Sequence, residues 1–245
     1  MPAGAESVSL ELVIGAGGGL GQALVRQGMV LPQTRVIAIS RTTPAPFTHP
    51  DLTWLSCDYS PAAMAAVAEQ LRPSSAQVTR VTLCNGRLHD HELSPEKALE
   101  QVCESSLSRL MHSNTIVPML WLTHLIPLLR DNPRVVVTVL SARVGSIGDN
   151  QLGGWYGYRA SKAALNQLLQ CCAIESARRA KGVKLVAYHP GTVDTPLSQP
   201  FQRRLRPGQL HSPELAARHL RQVTDDLVPD GTLSYLDWRG EPIPW

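Results

Sequence analysis

The chain has no long uninterrupted apolar run. Its best candidate, Val117 to Leu129, is cut by Pro118, Thr123, His124 and Pro127, whereas a membrane-crossing helix needs about 20 apolar residues in a row. No transmembrane helix is therefore expected. Basic residues are missing ahead of the first apolar segment, where Met1 to Ser9 carries Glu6 as its one charge. That is not the pattern of a secretory leader, and a cytoplasmic protein is expected. No CxxC pair occurs among Cys57, Cys84, Cys103, Cys171 and Cys172. Their odd number speaks for reduced, buried thiols rather than a disulfide framework. Neither sign of charge dominates, the balance being +3. The cluster Arg203, Arg204, Arg206 comes without an aromatic-rich sheet motif or finger spacing, so nucleic acid is not an expected partner. Repeats, linkers and breaks in composition are missing too, which points to a single domain over residues 1–245.

What is present is the composition of a soluble globular protein, 43% hydrophobic and 18% charged over 245 residues, enough to bury one sizeable core. Ser7 to Ile14 turns fully apolar, as a buried parallel strand should. Arg35 to Ser40, Thr53 to Cys57, Val78 to Cys84, Arg134 to Leu140, Val183 to His189 and Gly231 to Trp238 read as six more strands. Helical patterns fall after Gly21, over Pro61 to Leu71, Glu96 to Glu104, Leu107 to Leu129, from Tyr158 to about Lys181, and over Pro213 to Asp226. Strands alternating with helices from end to end imply an α/β fold, a doubly wound parallel sheet of about seven strands with helices on both faces. Pro196 to Ser212 has no periodicity and reads as a mobile loop.

The first strand runs straight into Gly15-Ala-Gly-Gly-Gly-Leu-Gly21 and then a helix. Gly15, Gly17, Gly18, Gly19, Leu20 and Gly21 thus stand where bare backbone and free helical amides can approach a pyrophosphate. The spacing is GxxxGxG, Leu20 taking the place a glycine holds in the commoner GxGxxG; a merely flexible loop is the competing reading. After the second strand a dinucleotide site usually offers a carboxylate to the ribose hydroxyls, and Val36 to Thr48 contains none. Arg41 stands there instead, a fork suited to a 2′-phosphate, which favours NADP(H) over NAD(H) unless it is simply a solvated strand-end Arg. Asp58, after the third strand, is placed either to meet an adenine ring or to cap the helix beginning near Pro61.

Tyr158 and Lys162 are four residues apart, so a helix puts phenol and ammonium on one face. An ordinary Tyr has a pKa near ~10, but a Lys cation about 4 Å away in a partly desolvated site could favour the phenolate by roughly 4 kcal/mol, about three pKa units. Such a phenol can give and recover a proton near neutral pH. Taken alone, the pair reads first as an exposed polar couple, and the rest of the chain has to carry the other reading. Asn114, polar within an apolar helical run, needs buried partners; it either braces the helix near Pro118 or holds water near an active site.

With the glycine turn, Ser141 after the fifth strand and Tyr158-x-x-x-Lys162 in this order, the sequence resembles the short-chain dehydrogenase/reductase family over essentially its whole length. Ser141 to Leu165 looks most like the C-factor and sniffer-type carbonyl reductases of that family. The resemblance implies an NADP(H)-dependent oxidoreductase that moves hydride between nicotinamide and a carbonyl or alcohol. By it, Tyr158 is the general acid in reduction and the base in reverse, and Lys162 lowers its pKa and holds the nicotinamide ribose. Ser141 hydrogen-bonds the substrate carbonyl and Asn114 keeps a relay water. Cys84, Asn85 and Gly86 fall on the family's cofactor-binding turn after strand four, and Pro190, Gly191, Val193 and Thr195 on the segment that binds the carboxamide. It further implies a homodimer or homotetramer, paired through residues 107–129 and 158–180, and a substrate-covering loop at about 196–212.

The chain departs from the family pattern in places. Ile14 replaces a Thr before the first glycine, and Leu83-Cys84-Asn85-Gly86 replaces Asn-Asn-Ala-Gly. Strand register places Ser141 at the catalytic serine, whereas counting back from Gly145 places Ala142 there, with Ser146 a substitute. These departures leave open a second reading, a dinucleotide-binding regulator or signalling protein with little chemistry. His89, His91 and His189 have no third metal ligand in the sequence, and no metal is expected. Arg203, Arg204 and Arg206 read first as a solvated flexible loop, and otherwise as favouring an anionic or polar substrate.

Overall fold

Valine- and isoleucine-rich segments without polar alternation must be covered on both sides, and the computed structural model, which describes residues 8–41 and 45–245, places them inside one parallel sheet. Residues 1–7, which hold most of the segment read for a leader and the start of the first strand, lie outside the described residues, as do 42–44 and the side chain of Arg204. The strands are β1 (Ser9–Ile14), β2 (Thr34–Ser40), β3 (Leu52–Ser56), β4 (Val78–Leu83), β5 (Val135–Leu140) and β6 (Val183–His189), then the two-residue β7 (Thr192–Val193) and β8 (Leu210–His211), and finally β9 (Leu233–Asp237). The main sheet runs β3-β2-β1-β4-β5-β6-β9, seven strands, while β7 and β8 pair separately. The helices are α1 (Gly19–Met29), α2 (Pro61–Leu71), α3 (Glu104–Met111), α4 (Val117–Leu129), α5 (Tyr156–Arg179) and α6 (Pro213–Asp225).

Side chains alternate across a strand, and β5 shows how this builds two cores. Val135, Val137 and Val139 pack with Met64 of α2, Trp121 and Leu125 of α4, and Leu165 and Leu169 of α5. Val136 points the other way, into a cluster with Leu24 and Val25 of α1 and Ala217 and Leu220 of α6. The sheet is thus doubly wound, as its sequence pattern implies. Local chemistry sets the helix starts: Ser60 Oγ accepts from Ala63 N at 3.3 Å and Pro61 opens α2, a cap whose loss costs ~1 kcal/mol.

Two segments differ from the sequence expectation. Glu96 to Glu104 is not a helix; it holds one 3₁₀ turn at Leu99–Gln101, and α3 begins at Glu104. Glu96 is buried and spent elsewhere, its carbonyl accepting from Trp155 N and its Oε2 from Gly157 N at 3.2 Å, which pins the start of α5. Pro196 to Ser212, expected to be without structure, contains a 3₁₀ turn at Gln199–Arg204 and ends in the β7–β8 pairing. The helix expected over Leu107 to Leu129 is α3 joined to α4 through a π turn at His112–Ile116; such turns gather at functional sites.

Candidate active site

From β1 and β4 at the centre the chain winds outward in opposite directions, so the loops after these strands part and leave a crevice at their carboxyl ends. A cavity of about 740 Å³ opens there, reaching from Gly15 and Gly21 past Cys84, Asn85 and Gly86 to Tyr158 and Lys162. Pro190, Gly191, Val193 and Thr195 line it as well. A second cavity of similar size shares Asn85 and Gly86 with it and holds Arg41, Asp58 and Tyr59.

The glycine turn fits a diphosphate by what it leaves out. Gly15 sits at φ +80°, and a methyl on Gly21 would lie 2.5 Å from the Gly15 carbonyl oxygen. Helix α1 begins at Gly19 with no side-chain cap, so its first-turn amides have no intrahelical partner and its positive end is open to an anion. Thr195 overhangs the turn, its methyl 2.7 Å from where a side chain on Gly19 would begin. Gly17, Gly18, Gly19 and Leu20 line the same cavity. Ile14, which stands where a Thr was expected, is wholly buried in the core.

Arg41 is exposed at the end of β2, with its guanidinium 5.7 Å from the Tyr59 ring. Asp58 Oδ1 accepts from Ser60 N at 2.8 Å, an interaction that holds its carboxyl below the usual range. It sets the turn before α2, and the cap itself falls to Ser60. Cys84 is enclosed, and burial pushes its thiol up to about 12.

Tyr158 and Lys162 project from the first turns of α5 into one pocket, as their spacing requires. The ring of Tyr158 is packed among Leu88, Leu93, Leu110 and Ala142, and this apolar burial pushes the phenol up to about 12. Lys162 is buried, and loss of solvent brings its ammonium down to about 8. Its Nζ donates to the Leu140 carbonyl at 2.7 Å and stands 6.0 Å from the Tyr158 ring centre. The depressed phenol pKa expected from the spacing is therefore not what this arrangement yields: burial raises it, and the Tyr235 phenol adds to the rise.

Asn114 lies in the π turn, fully buried. Its Oδ1 accepts from Arg87 N at 2.6 Å, and its Nδ2 donates to Arg87 O at 2.8 Å and Ser161 Oγ at 3.0 Å. It fastens the helix to the turn after β4, beside the active pair: a methyl on Gly86 would lie 3.7 Å from both Asn114 Oδ1 and Lys162 Nζ. Ser141 borders the cavity, but its hydroxyl donates to Asn166 Oδ1 of α5 at 2.6 Å. Ser146 is buried outside the cavity and accepts from Asp149 N.

Sequence reasoning missed the far wall. Trp155 and Phe201 lie 5.0 Å apart between ring centres, His89 sits 5.6 Å from Phe201, and His89 Nε2 lies 3.1 Å from Pro196 O and 3.2 Å from Leu197 O. His89 thus joins the turn after β4 to the loop after β7, and nothing in its HxH setting announced that. The four-residue spacing of Phe201 and Leu205 was a signal that the loop turns an apolar side inward, and both line the cavity. Arg203 and Arg206 are exposed instead, as solvated side chains are. Among the described residues no group of three His, Cys, Asp or Glu could hold a metal.

Comparison with known proteins agrees with this geometry. The short chain dehydrogenase family matches residues 10–206. The chain is 30% identical over 148 residues to the C-signal of Myxococcus xanthus, covering 60% of this chain and 84% of that protein. In fold it is similar to the NADPH-bound carbonyl reductase from chicken fatty liver, with TM-score 0.82 and 22% identity over 97% of this chain and 94% of that one. The carbonyl reductase Sniffer of D. melanogaster gives TM-score 0.82 and 20% identity over 98% and 100%. A parallel seven-strand sheet, an open glycine turn and a Tyr–Lys pair on one cavity, with a family match over most of its length, mark this chain as an oxidoreductase that belongs to the short-chain dehydrogenase family.

Proposed function

We propose that this enzyme transfers hydride between NADP(H) and a carbonyl or alcohol, with Tyr158 as general acid and base. The observation that carries the reading is that one cavity holds both the uncapped glycine turn and the Tyr158–Lys162 pair. When bound, a reduced nicotinamide supplies the hydride. The first-turn amides of α1 hold the diphosphate, and Pro190 to Thr195 cover the nicotinamide end. Arg41 takes the 2′-phosphate, with no carboxylate nearby in sequence to bind a free ribose. Tyr158, protonated at neutral pH, gives its proton to the oxygen of a carbonyl as charge gathers there. Lys162 supplies a nearby cation, and Asn114 keeps the turn that positions both. The protein acts in the cytoplasm as a homodimer or homotetramer.

The test is oxidation of NADPH, and of NADH in parallel, against a panel of aldehydes and ketones. Tyr158→Phe is expected to abolish turnover while binding NADPH as the wild type does, and an active variant would refute the mechanism. A second reading, a dinucleotide-binding regulator of weak activity, is favoured by one observation, the Ser141 hydroxyl given to Asn166. That reading expects NADPH binding with no carbonyl reduced.

A further inference from the structure

The side chains packed round the Tyr158 ring are apolar. The ring packs on Leu88 and Ala142, with Val144, Trp155 and Phe201 alongside, and all five of these residues also border the cavity. The hydroxyl expected there sits one residue earlier, on Ser141. In β5 the odd-numbered valines face α5, and Ser141 continues that face, so its Oγ meets Asn166 of α5 at 2.6 Å. Three successive anchors keep the strand end from turning. Lys162 Nζ donates to Leu140 O at 2.7 Å, Ser141 N donates to Tyr188 O at 2.8 Å, and the Tyr235 hydroxyl donates to Ala142 O at 2.7 Å. Rotating Ser141 into the cavity would abandon the buried amide of Asn166.

We infer that Ala142 is the specificity-determining position beside Tyr158: the carbonyl oxygen meets the phenol against an apolar wall without a second hydroxyl, and Ser141 is a positioning residue for Asn166. The inference rests on the oxidoreductase reading above. In that reaction the carbonyl carbon gains a hydride, the C=O electron pair moves onto oxygen, the oxygen takes the Tyr158 proton, and the nicotinamide is oxidised. With one hydroxyl donor, more of the developing charge must be carried by the substrate's own substituents. The site therefore suits apolar carbonyl compounds made electron-poor by their neighbours, lying along Trp155 and Phe201, and turns over plain ketones slowly.

The experiment measures kcat for NADPH oxidation with para-substituted acetophenones, from methoxy to nitro, by wild type, Ala142→Ser and Ser141→Ala. NADPH binding and thermal melting are followed alongside. Ala142→Ser is expected to raise kcat on the unsubstituted ketone by about tenfold or more, one oxyanion donor being worth ~10²–10³, and to flatten the dependence of log kcat on the substituent. Ser141→Ala is expected to melt at a lower temperature and keep the wild-type slope. An unchanged slope in folded, NADPH-binding Ala142→Ser overturns the inference. So does a steeper slope in Ser141→Ala, which would make Ser141 the donor; that arm decides alone should Ala142→Ser fail to fold. No turnover by any of the three with NADPH bound overturns the carbonyl reduction proposed above, and this inference with it.

Discussion

Lys162 is the residue whose energetics and function pull hardest against each other. Its ammonium is buried and brought down to about 8 from an ordinary 10.5 by loss of solvent. A base whose folded pKa lies below its unfolded one binds fewer protons when folded, so stability falls as pH drops from about 10.5 to about 8, and the whole penalty is present below that. Lys162→Met removes the penalty along with the charge. It is expected to melt higher than wild type at pH 7, with the difference shrinking between about pH 8 and 10.5, while activity falls by about 10²-fold or more. Melting curves across that pH range check this, and a lower melting temperature at pH 7 would go against it. The spacing of Tyr158 and Lys162 made their shared face legible in the sequence. Their separation was not legible, because it depends on Leu140 O capturing the amine.

At the level of elements, the α3–π–α4 rod and the turn after β4 are held together by one side chain. Asn114→Ala deletes bonds to Arg87 N, Arg87 O and Ser161 Oγ in a buried setting, at a cost of about 2–3 kcal/mol. Urea unfolding is expected to show this as a lowered midpoint with the slope kept; a loss under about 0.5 kcal/mol would mean that the brace is idle. The apolar pattern showed a helix from Leu107 onward, but a π turn leaves no periodic mark of its own. Likewise Glu96 to Glu104 has helical composition, yet Glu96 gives its carbonyl to Trp155 N and its carboxylate to Gly157 N, partners distant in sequence. Strand assignments fared better, since buried parallel strands are written as near-continuous aliphatic runs.

For the whole molecule, the association proposed above through these helices would draw on the exposed Ile116 at the π turn and Ile174 on α5. Ile116→Asp combined with Ile174→Asp is expected to lower the mass seen by light scattering to that of a single chain, with the fold kept by circular dichroism. An unchanged mass would place the interface elsewhere.

The order of strand, glycine turn, strand-end Ser and Tyr–Lys pair was enough on its own to settle family and sheet, because periodicity and glycine spacing are local properties of a chain. Where the Ser141 hydroxyl goes, to Asn166 of α5, was decided only in three dimensions. A shift of one residue at the end of β5 moves a side chain from one face to the other, and the anchors on Leu140, Ser141 and Ala142 come from Lys162, Tyr188 and Tyr235, residues that only the folded sheet and helix bring together.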